Sequence, residues 1–379
     1  MHAGSELNNM HRVLQYIGSL NRGGAQSAIL NLYGEIDRRD WQFDFVDHDA
    51  SAGELDDKVK AMGGSIYHLP SLEDVGPHRF ALNWKSFFSL HDEWRVIHSH
   101  MRTTASLMLP VAKKAGLATI VHSHSTRNDG GMKAVVKAAL QYPIRFESDF
   151  FVGCSSEAGK WLFGERAFNS NRYLYLPNAI DIDRYAFDEN KRSRLRSKLG
   201  LDGKLVFGHV GRLHESKNHG FLIDVFAELK KKYPNSVLLL VGDGPLRSQI
   251  ESAIDSKGLT DSVLLLGNRS DVPDLLQTMD VFVFPSKWEG LPVSVVEALS
   301  SGLPCYISDT LTHDVDICDA ITRLPIDDPR PWVDSISLPC RVDARRDIEA
   351  AGFDIHDSAR KLVDLYEKAE HLANERKCR

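Results

Sequence analysis

Short apolar runs rich in β-branched residues alternate along nearly the whole chain with stretches whose apolar positions recur every three to four residues. The first pattern fits strands buried on both faces and the second fits amphipathic crossover helices, so the alternation predicts parallel sheets covered by helices. In the first half, strands are predicted at 12–17, 43–46, 65–69, 96–98, 118–122 and 150–153. In the second half they are predicted at 205–210, 237–241, 263–266, 281–284 and 304–307. The expected fold class is therefore α/β, with two doubly wound, Rossmann-like domains in tandem.

Residues 177–200 open with the turn Pro177-Asn178 and continue through an acidic stretch into a highly charged helix, which fits a connection between domains. The first domain is accordingly placed at 1–176, the linker at 177–200 and the second domain at 201–354. Residues 355–379 hold a long terminal helix, with Leu362, Leu365, Tyr366 and Ala369 on one face. Between Cys318 and Asp347 no strand can be placed from the pattern.

Composition narrows the class. Of 379 residues 42% are hydrophobic and 26% charged, as expected of a globular protein with buried cores. The net charge of −6 lies wholly in the second half, because residues 1–176 balance 19 basic against 19 acidic side chains. Neither half has the basic excess of a sequence-independent nucleic-acid binder, so no nucleic-acid partner is expected. Any anionic ligand must be held by a few placed cations. The five cysteines form no CxxC pair and predict neither a disulfide framework nor a zinc site. The absence of a secretion signal or a long apolar run points to the cytoplasm, with surface attachment to a membrane left open.

Four segments carry candidate chemistry. Pro285-Ser286-Lys287-Trp288-Glu289-Gly290-Leu291-Pro292-Val293-Ser294-Val295-Val296-Glu297 follows a predicted strand and enters a helix at Pro292. Amides at such a helix start form an anion site, and Glu289 and Glu297 add acceptors for hydroxyls. The same spacing equally serves a helix-dipole partner and a solvated helix residue. In Gly208-His209-Val210-Gly211-Arg212-Leu213-His214-Glu215-Ser216-Lys217-Asn218-His219, again a strand running into a loop and then a helix, Arg212 and Lys217 are placed to converge on a phosphate, although surface cations near a helix start are common. Gly18-Ser19-Leu20-Asn21-Arg22-Gly23-Gly24-Ala25-Gln26 lets backbone approach a ligand at Gly23 and Gly24, or simply turns. His98 with His100, and His122 with His124, put two imidazoles each on one face of a strand end. A metal there lacks an accompanying carboxylate pattern, and at least two of the four are expected to be satisfied core histidines.

Taken together, Val210-Gly211-Arg212-Leu213 with Lys217-Asn218, then Val241-Gly242-Asp243-Gly244-Pro245-Leu246, Leu266-Gly267 and Glu289-Gly290-Leu291-Pro292 through Glu297 resemble the second domain of retaining GT-B glycosyltransferases of family 4. The likeness covers nearly the whole chain and is more specific in the second half. It implies two domains facing across a cleft, with the C-terminal helix returning to the first. The resemblance further implies a nucleotide-sugar donor, UDP-linked by preference, whose diphosphate is held by Arg212, Lys217 and the amides of Gly290, Leu291, Pro292 and Val293, with Gly23 and Gly24 closing from the first domain. By the same likeness Glu289 faces the donor sugar, Glu297 takes the ribose, Asn268 and Arg269 meet the base, and His124, rather than His122, lies near the sugar within His124-Ser125-Thr126. No cofactor and no metal are expected.

A looser likeness is to bacterial enzymes that build capsule, exopolysaccharide or O-antigen on saccharide or lipid-linked acceptors. That implies peripheral contact with the inner membrane, for which Lys133 and Lys137 on one helix face are candidates. Two further readings stay open: a UDP-sugar epimerase of the same architecture, which would release epimerised nucleotide sugar without an acceptor, and an inactive nucleotide-binding scaffold.

Overall fold

The computed structural model describes residues 10–21, 23–124, 132–337 and 340–378, with side chains in the helix Met132–Gln141 from residue 135 onward. The chain divides into two compact units, Met1–Ala179 with Ile355–Arg379, and Ile180–Asp354.

The first unit contains seven parallel strands: β1 (His11–Tyr16), β2 (Trp41–Asp47), β3 (Ile66–His68), β4 (Val96–Ser99), β5 (Ala118–Ser123), β6 (Phe150–Gly153) and β7 (Tyr173–Tyr175), in the order β3-β2-β1-β4-β5-β6-β7. The second has six: β8 (Leu205–Val210), β9 (Ser236–Val241), β10 (Val263–Gly267), β11 (Val281–Phe284), β12 (Cys305–Ser308) and β13 (Ile321–Leu324), in the order β10-β9-β8-β11-β12-β13. The expected class of two doubly wound sheets is thus present. Every residue of β2, β5, β9 and β11 is buried, as helices on both sheet faces require. Chain order reverses between β1 and β4 in one sheet and between β8 and β11 in the other. Ligands bind beyond the carboxyl ends of the strands at such switch points.

Each predicted strand is present, with ends moved by at most two residues. β7 and β13 were not predicted; both are short edge strands, YLY and ITRL, lacking a fully buried run. The unplaced segment 318–347 contributes β13 and the helices Arg330–Ser335 and Arg345–Ala350.

The stretch predicted as a connection begins to pack in the second unit at Ile180. Its helix Glu189–Lys198 has almost no apolar face and docks through arginines. Arg192 donates to the carbonyls of Gln277 and Met279 at 2.8 Å each, and Arg196 to that of Thr278 at 2.8 Å. These carbonyls end the helix Val272–Thr278, where four acceptors lack intrahelical partners. Arg341 donates to Gln277 and Met279 as well, at 2.9 and 2.8 Å, and also to Ser301.

The terminal helix Ile355–Lys377 belongs to the first unit. Ile355, Ala359, Leu362, Tyr366, Ala369 and Ala373 form a buried stripe at three- and four-residue steps against Val13, Phe43 and Ile120. Its end is fixed by Arg376, which donates to the Leu117 carbonyl at 3.0 Å and to Asp149 at 2.7 Å.

Candidate functional site

In the second unit the β8/β11 ladder pairs only Val281 with Phe207 and Phe282 with Gly208. Beyond it the strands part, and His209 Nδ1 donates to the Val283 carbonyl at 2.9 Å in place of a backbone bond. The chain then leaves β8 through Gly211 and Arg212 into a short 3-10 turn, Glu215–Lys217. Asn218 follows at φ 55°, the single positive-φ residue other than glycine among those described, and starts the helix His219–Lys232. Asparagine tolerates this left-handed conformation better than most residues. The turn Gly242-Asp243-Gly244 braces the loop, with Leu213 N–H donating to the Asp243 carbonyl at 3.0 Å. A Cβ at Gly242, where φ is 135°, would collide with the Gly211 carbonyl, and one at Gly244 with that of Leu213. These glycines therefore serve loop packing.

Lys217 lies back across the end of the sheet. A Cβ on Gly211 would sit 3.1 Å from its Cε, and its Nζ stands 4.7 Å from the Phe284 ring centroid and 2.8 Å from Glu289 Oε1. Both partners of that ion pair are mostly buried, at 16% and 14% side-chain exposure. Two residues separated by 72 positions thus meet at the switch point. Arg212 is exposed and has no ion pair among the described residues. His209 and His219 lie nearby with rings 4.9 Å apart. Burial, then the neighbouring His219, holds the His209 pKa well below the usual imidazole value; burial and the Lys217 charge lower that of His219 to about 4. Burial thus favours the neutral form of both rings, and the lysines and arginine of the loop, Arg212, Lys217 and Lys287, carry its positive charge, Lys287 being paired with Glu215 at 3.3 Å.

The helix Val293–Ser300 starts one residue later than expected, with Pro292 as its cap residue. Val293 N–H is committed to the Leu291 carbonyl and Val295 N–H to that of Pro292, each at 2.9 Å. Of the expected anion cradle, the amides of Gly290 and Leu291 have no backbone partner among the described residues. Glu297 accepts from Tyr185 Oη at 2.8 Å. Burial raises its pKa, opposed by that hydrogen bond and by the Arg184 charge. Asn268 is exposed, and the Arg269 guanidinium forks onto Asp271 at 2.7 and 2.6 Å. Tyr185 and Phe284 had no sequence signal beyond lying near strand or helix ends, and His209 and His219 bound the segment 208–219 without a role being read for them.

In the first unit Gly23 caps the helix Gly24–Glu35 with φ −159°, and neither Gly23 nor Gly24 takes a positive φ. A Cβ on Gly23 would strike Gln26, whose amide donates to the Ser19 carbonyl at 3.1 Å, whereas Gly24 faces open space. Close approach thus remains open at Gly24. Arg22, Ser125, Thr126 and the Lys133 side chain lie outside the described residues.

The four strand-end histidines do crowd together. The His98 and His122 ring centroids are 5.4 Å apart, and those of His122 and His124 are 3.9 Å apart. Burial lowers the pKa of His98 and of His124 to about 3, and holds His100 and His122 well below the ordinary value. Nitrogens of His98, His100 and His122 come within 4.8 Å of one another, close enough to consider a cation. Among the described residues no carboxylate joins them, and both His100 nitrogens are engaged, by Gln15 and by His124, so a cation would have to displace one of these.

Two doubly wound parallel sheets, each with a switch point in its strand order, are the architecture of a GT-B glycosyltransferase. The sequence relatives agree. The family model "Glycosyltransferase Family 4" matches residues 22–184, and "Glycosyl transferases group 1" matches residues 191–335. EpsF of Bacillus subtilis (strain 168), named as a glycosyltransferase, is 32% identical over 94% of this chain and 96% of its own. An Escherichia coli UDP-Gal:alpha-D-GlcNAc-diphosphoundecaprenol alpha-1,3-galactosyltransferase is 31% identical over 67% of each chain. Among solved structures, Anabaena Alr3699/HepE in complex with UDP and glucose superposes with a TM-score of 0.70 at 17% identity, covering 94% of this chain and 99% of that one. The chain belongs to family 4 of the glycosyltransferases.

Proposed function

We propose that the chain is a retaining enzyme that moves a hexosyl or N-acetylhexosaminyl group from a UDP-sugar to a saccharide or lipid-linked saccharide in polysaccharide biosynthesis. The observation carrying this reading is the Lys217–Glu289 pair at 2.8 Å on the loop that also holds Arg212, which is exposed and has no ion pair among the described residues. Cations already fixed in place stabilise charge as it develops on a leaving diphosphate, without reorganising. Lys217 is held by Glu289 and by the Phe284 face; Arg212 is free to fork onto phosphate oxygens. No metal is needed to neutralise the leaving group in this scheme.

Glu289 then borders both the diphosphate and the donor sugar. The Gly290 and Leu291 amides add neutral donors at the start of the Val293–Ser300 helix, with Pro292 and Val293 shaping the turn. Glu297, oriented by Tyr185, accepts from the ribose hydroxyls, and Asn268 and Arg269 border the base; Arg269 must loosen from Asp271 to do so. The acceptor hydroxyl attacks the anomeric carbon on the face from which diphosphate departs. Its proton passes to the leaving phosphate oxygen, and the configuration is kept.

The preference for uridine is supported by the relative named for UDP-Gal and by the structural neighbour solved with UDP, although a Mycolicibacterium smegmatis relative is named for GDP-mannose. The capsule and exopolysaccharide setting is supported by a Staphylococcus aureus relative named as a capsular polysaccharide biosynthesis glycosyltransferase, 25% identical over 94% of this chain.

Among the described residues no helix is long and apolar enough to cross a membrane. Exposed Val135, Val136, Tyr142 and Phe146 in the first unit support peripheral contact with the cytoplasmic membrane face. Absence of binding to anionic liposomes at low salt would remove that part. The donor assignment is tested by a thermal-shift screen against UDP-, GDP- and ADP-sugars, since a ligand that binds the folded state raises the melting temperature. The UDP series should shift it most; a flat response to all three would sink the reading.

A further inference from the structure

In the second unit β8 pairs with β11 only as far as Gly208 and Phe282, yet stays paired with β9 two residues further, to Val210 and Val241. The sheet therefore forks where Lys217 and Glu289 meet. The His209 side chain stands in this fork, fully buried. Its ring stacks on Phe284, with centroids 5.2 Å apart and planes at 20°, and lies parallel to Phe282 at 6.4 Å and 4°. A backbone ladder bond would satisfy the Val283 carbonyl only by bringing the strands to about 4.8 Å. The imidazole reaches that carbonyl, at 2.9 Å, after the strands have parted.

This bond fixes the proton on the ring. A carbonyl oxygen only accepts, so Nδ1 must carry the hydrogen, and in the neutral ring that burial favours Nε2 is bare. That is the opposite of the tautomer a free neutral histidine prefers. Nε2 has no partner among the described residues. Gly211 shows where it points: a Cβ there would lie 3.1 Å from His209 Nε2 and 3.1 Å from Lys217 Cε. The lone pair and the methylene next to the ammonium thus border the same small space, which a glycine leaves open. A lone pair attracts the charge spread over that methylene, whereas an N–H there would oppose it.

We propose that His209, in its Nδ1–H form, is a positioning residue for Lys217. Its bond to Val283 holds β11 at the fork and with it Phe284, whose ring lies 4.7 Å from the ammonium, while its bare Nε2 faces the lysine stem. The consequence for a bound diphosphate rests on the function proposed above. The tautomer does not, because it follows from bonds within the second unit.

The test joins histidine NMR to a double-mutant cycle read by calorimetric titration of UDP into full-length protein. In wild type labelled with 15N-histidine at pH 7.5, long-range proton–nitrogen correlation should show His209 protonated on Nδ1, its resonances being those that His209→Phe removes. An Nε2–H or imidazolium His209 overturns the proposal before any variant is titrated. His209→Phe keeps an aromatic ring against Phe284 but has neither donor nor lone pair, and should weaken UDP binding about threefold to tenfold, the worth of one hydrogen bond. In the Lys217→Met background the same change should cost less than about twofold, because nothing is left to position. Equal losses in the two backgrounds would make His209 a structural residue and overturn its role toward Lys217, as would an unchanged affinity in His209→Phe. Should His209→Phe not fold, His209→Gln, which keeps a donor for the Val283 carbonyl but places no imidazole lone pair beside Lys217, takes its place in the cycle with the same expectation. If Lys217→Met alone bound UDP as tightly as the wild type, the diphosphate reading would fall and the positioning role with it, while the Nδ1–H tautomer would stand.

Discussion

Replacing Lys217 with methionine keeps the length of the side chain but removes its charge and strands Glu289. Fully buried ion pairs cost about 3–5 kcal/mol when one partner is removed, and exposed pairs about 0–1 kcal/mol. At 16% and 14% exposure this pair lies between the two, so a loss of about 1–2 kcal/mol is expected. For a unit of this size that lowers the melting temperature by roughly 2–8 °C. Removing one fixed charge-stabilising group from the transition state costs about 100- to 1000-fold in kcat. The two effects separate in the double variant. Adding Glu289→Gln to Lys217→Met removes the stranded carboxylate, so calorimetry should show recovered stability while initial-rate assays show no recovery of turnover. If turnover returned with stability, Lys217 would be a structural residue and its role toward the diphosphate would be wrong.

Three further outcomes follow from the same geometry. Tyr185→Phe removes the donor to Glu297 and should weaken UDP binding several-fold by calorimetry, since the carboxylate loses its orientation; unchanged affinity would remove Glu297 from the ribose. Because the folded pKa of Glu297 is raised, the native state binds more protons than the unfolded state above pH 4.5, so this group costs stability as pH rises from there, and Tyr185→Phe should steepen that slope in melting scans. The buried histidines act in the opposite sense. With folded values near 3 for His98 and His124, the unfolded state takes up the protons, and stability should fall as pH drops below about 6.5, by on the order of 1.4 kcal/mol per histidine per pH unit; a melting temperature independent of pH between 7 and 5 would contradict this. Arg341→Met leaves the Ser301 carbonyl without that donor and the Gln277 and Met279 carbonyls to Arg192 alone, and should destabilise the second unit by about 1 kcal/mol in urea unfolding, without changing UDP affinity.

The sheets were legible because their strands are buried on both faces and therefore read as apolar runs; β9, SVLLLV, is the plainest case. The terminal helix was legible from its stripe around Leu362 and Tyr366. What escaped was structure that no apolar period announces. The helix Glu189–Lys198 read as a charged connection because it docks through Arg192 and Arg196 onto backbone carbonyls. β7 and β13 are edge strands of three and four residues. At the site, the sequence named Lys217 and Glu289 separately but not their pairing, which needs the adjacency of β8 and β11. It placed Glu297 near a ligand but did not supply Tyr185, 112 residues away, as its partner. It also expected at least two satisfied histidines, whereas the hydrogen bonds through Gln15 and Tyr366 depend on the terminal helix returning to β1 and β4.

The central claim is that Arg212 and Lys217 hold the diphosphate of a nucleotide sugar at the β8/β11 switch point. Calorimetric titration of UDP into the wild type and into folded Arg212→Ala/Lys217→Ala tests it most directly. The account predicts saturable one-to-one binding by the wild type and at least a hundredfold weaker binding by the double variant, about 1.4 kcal/mol for each tenfold. Equal affinity in both proteins would contradict it.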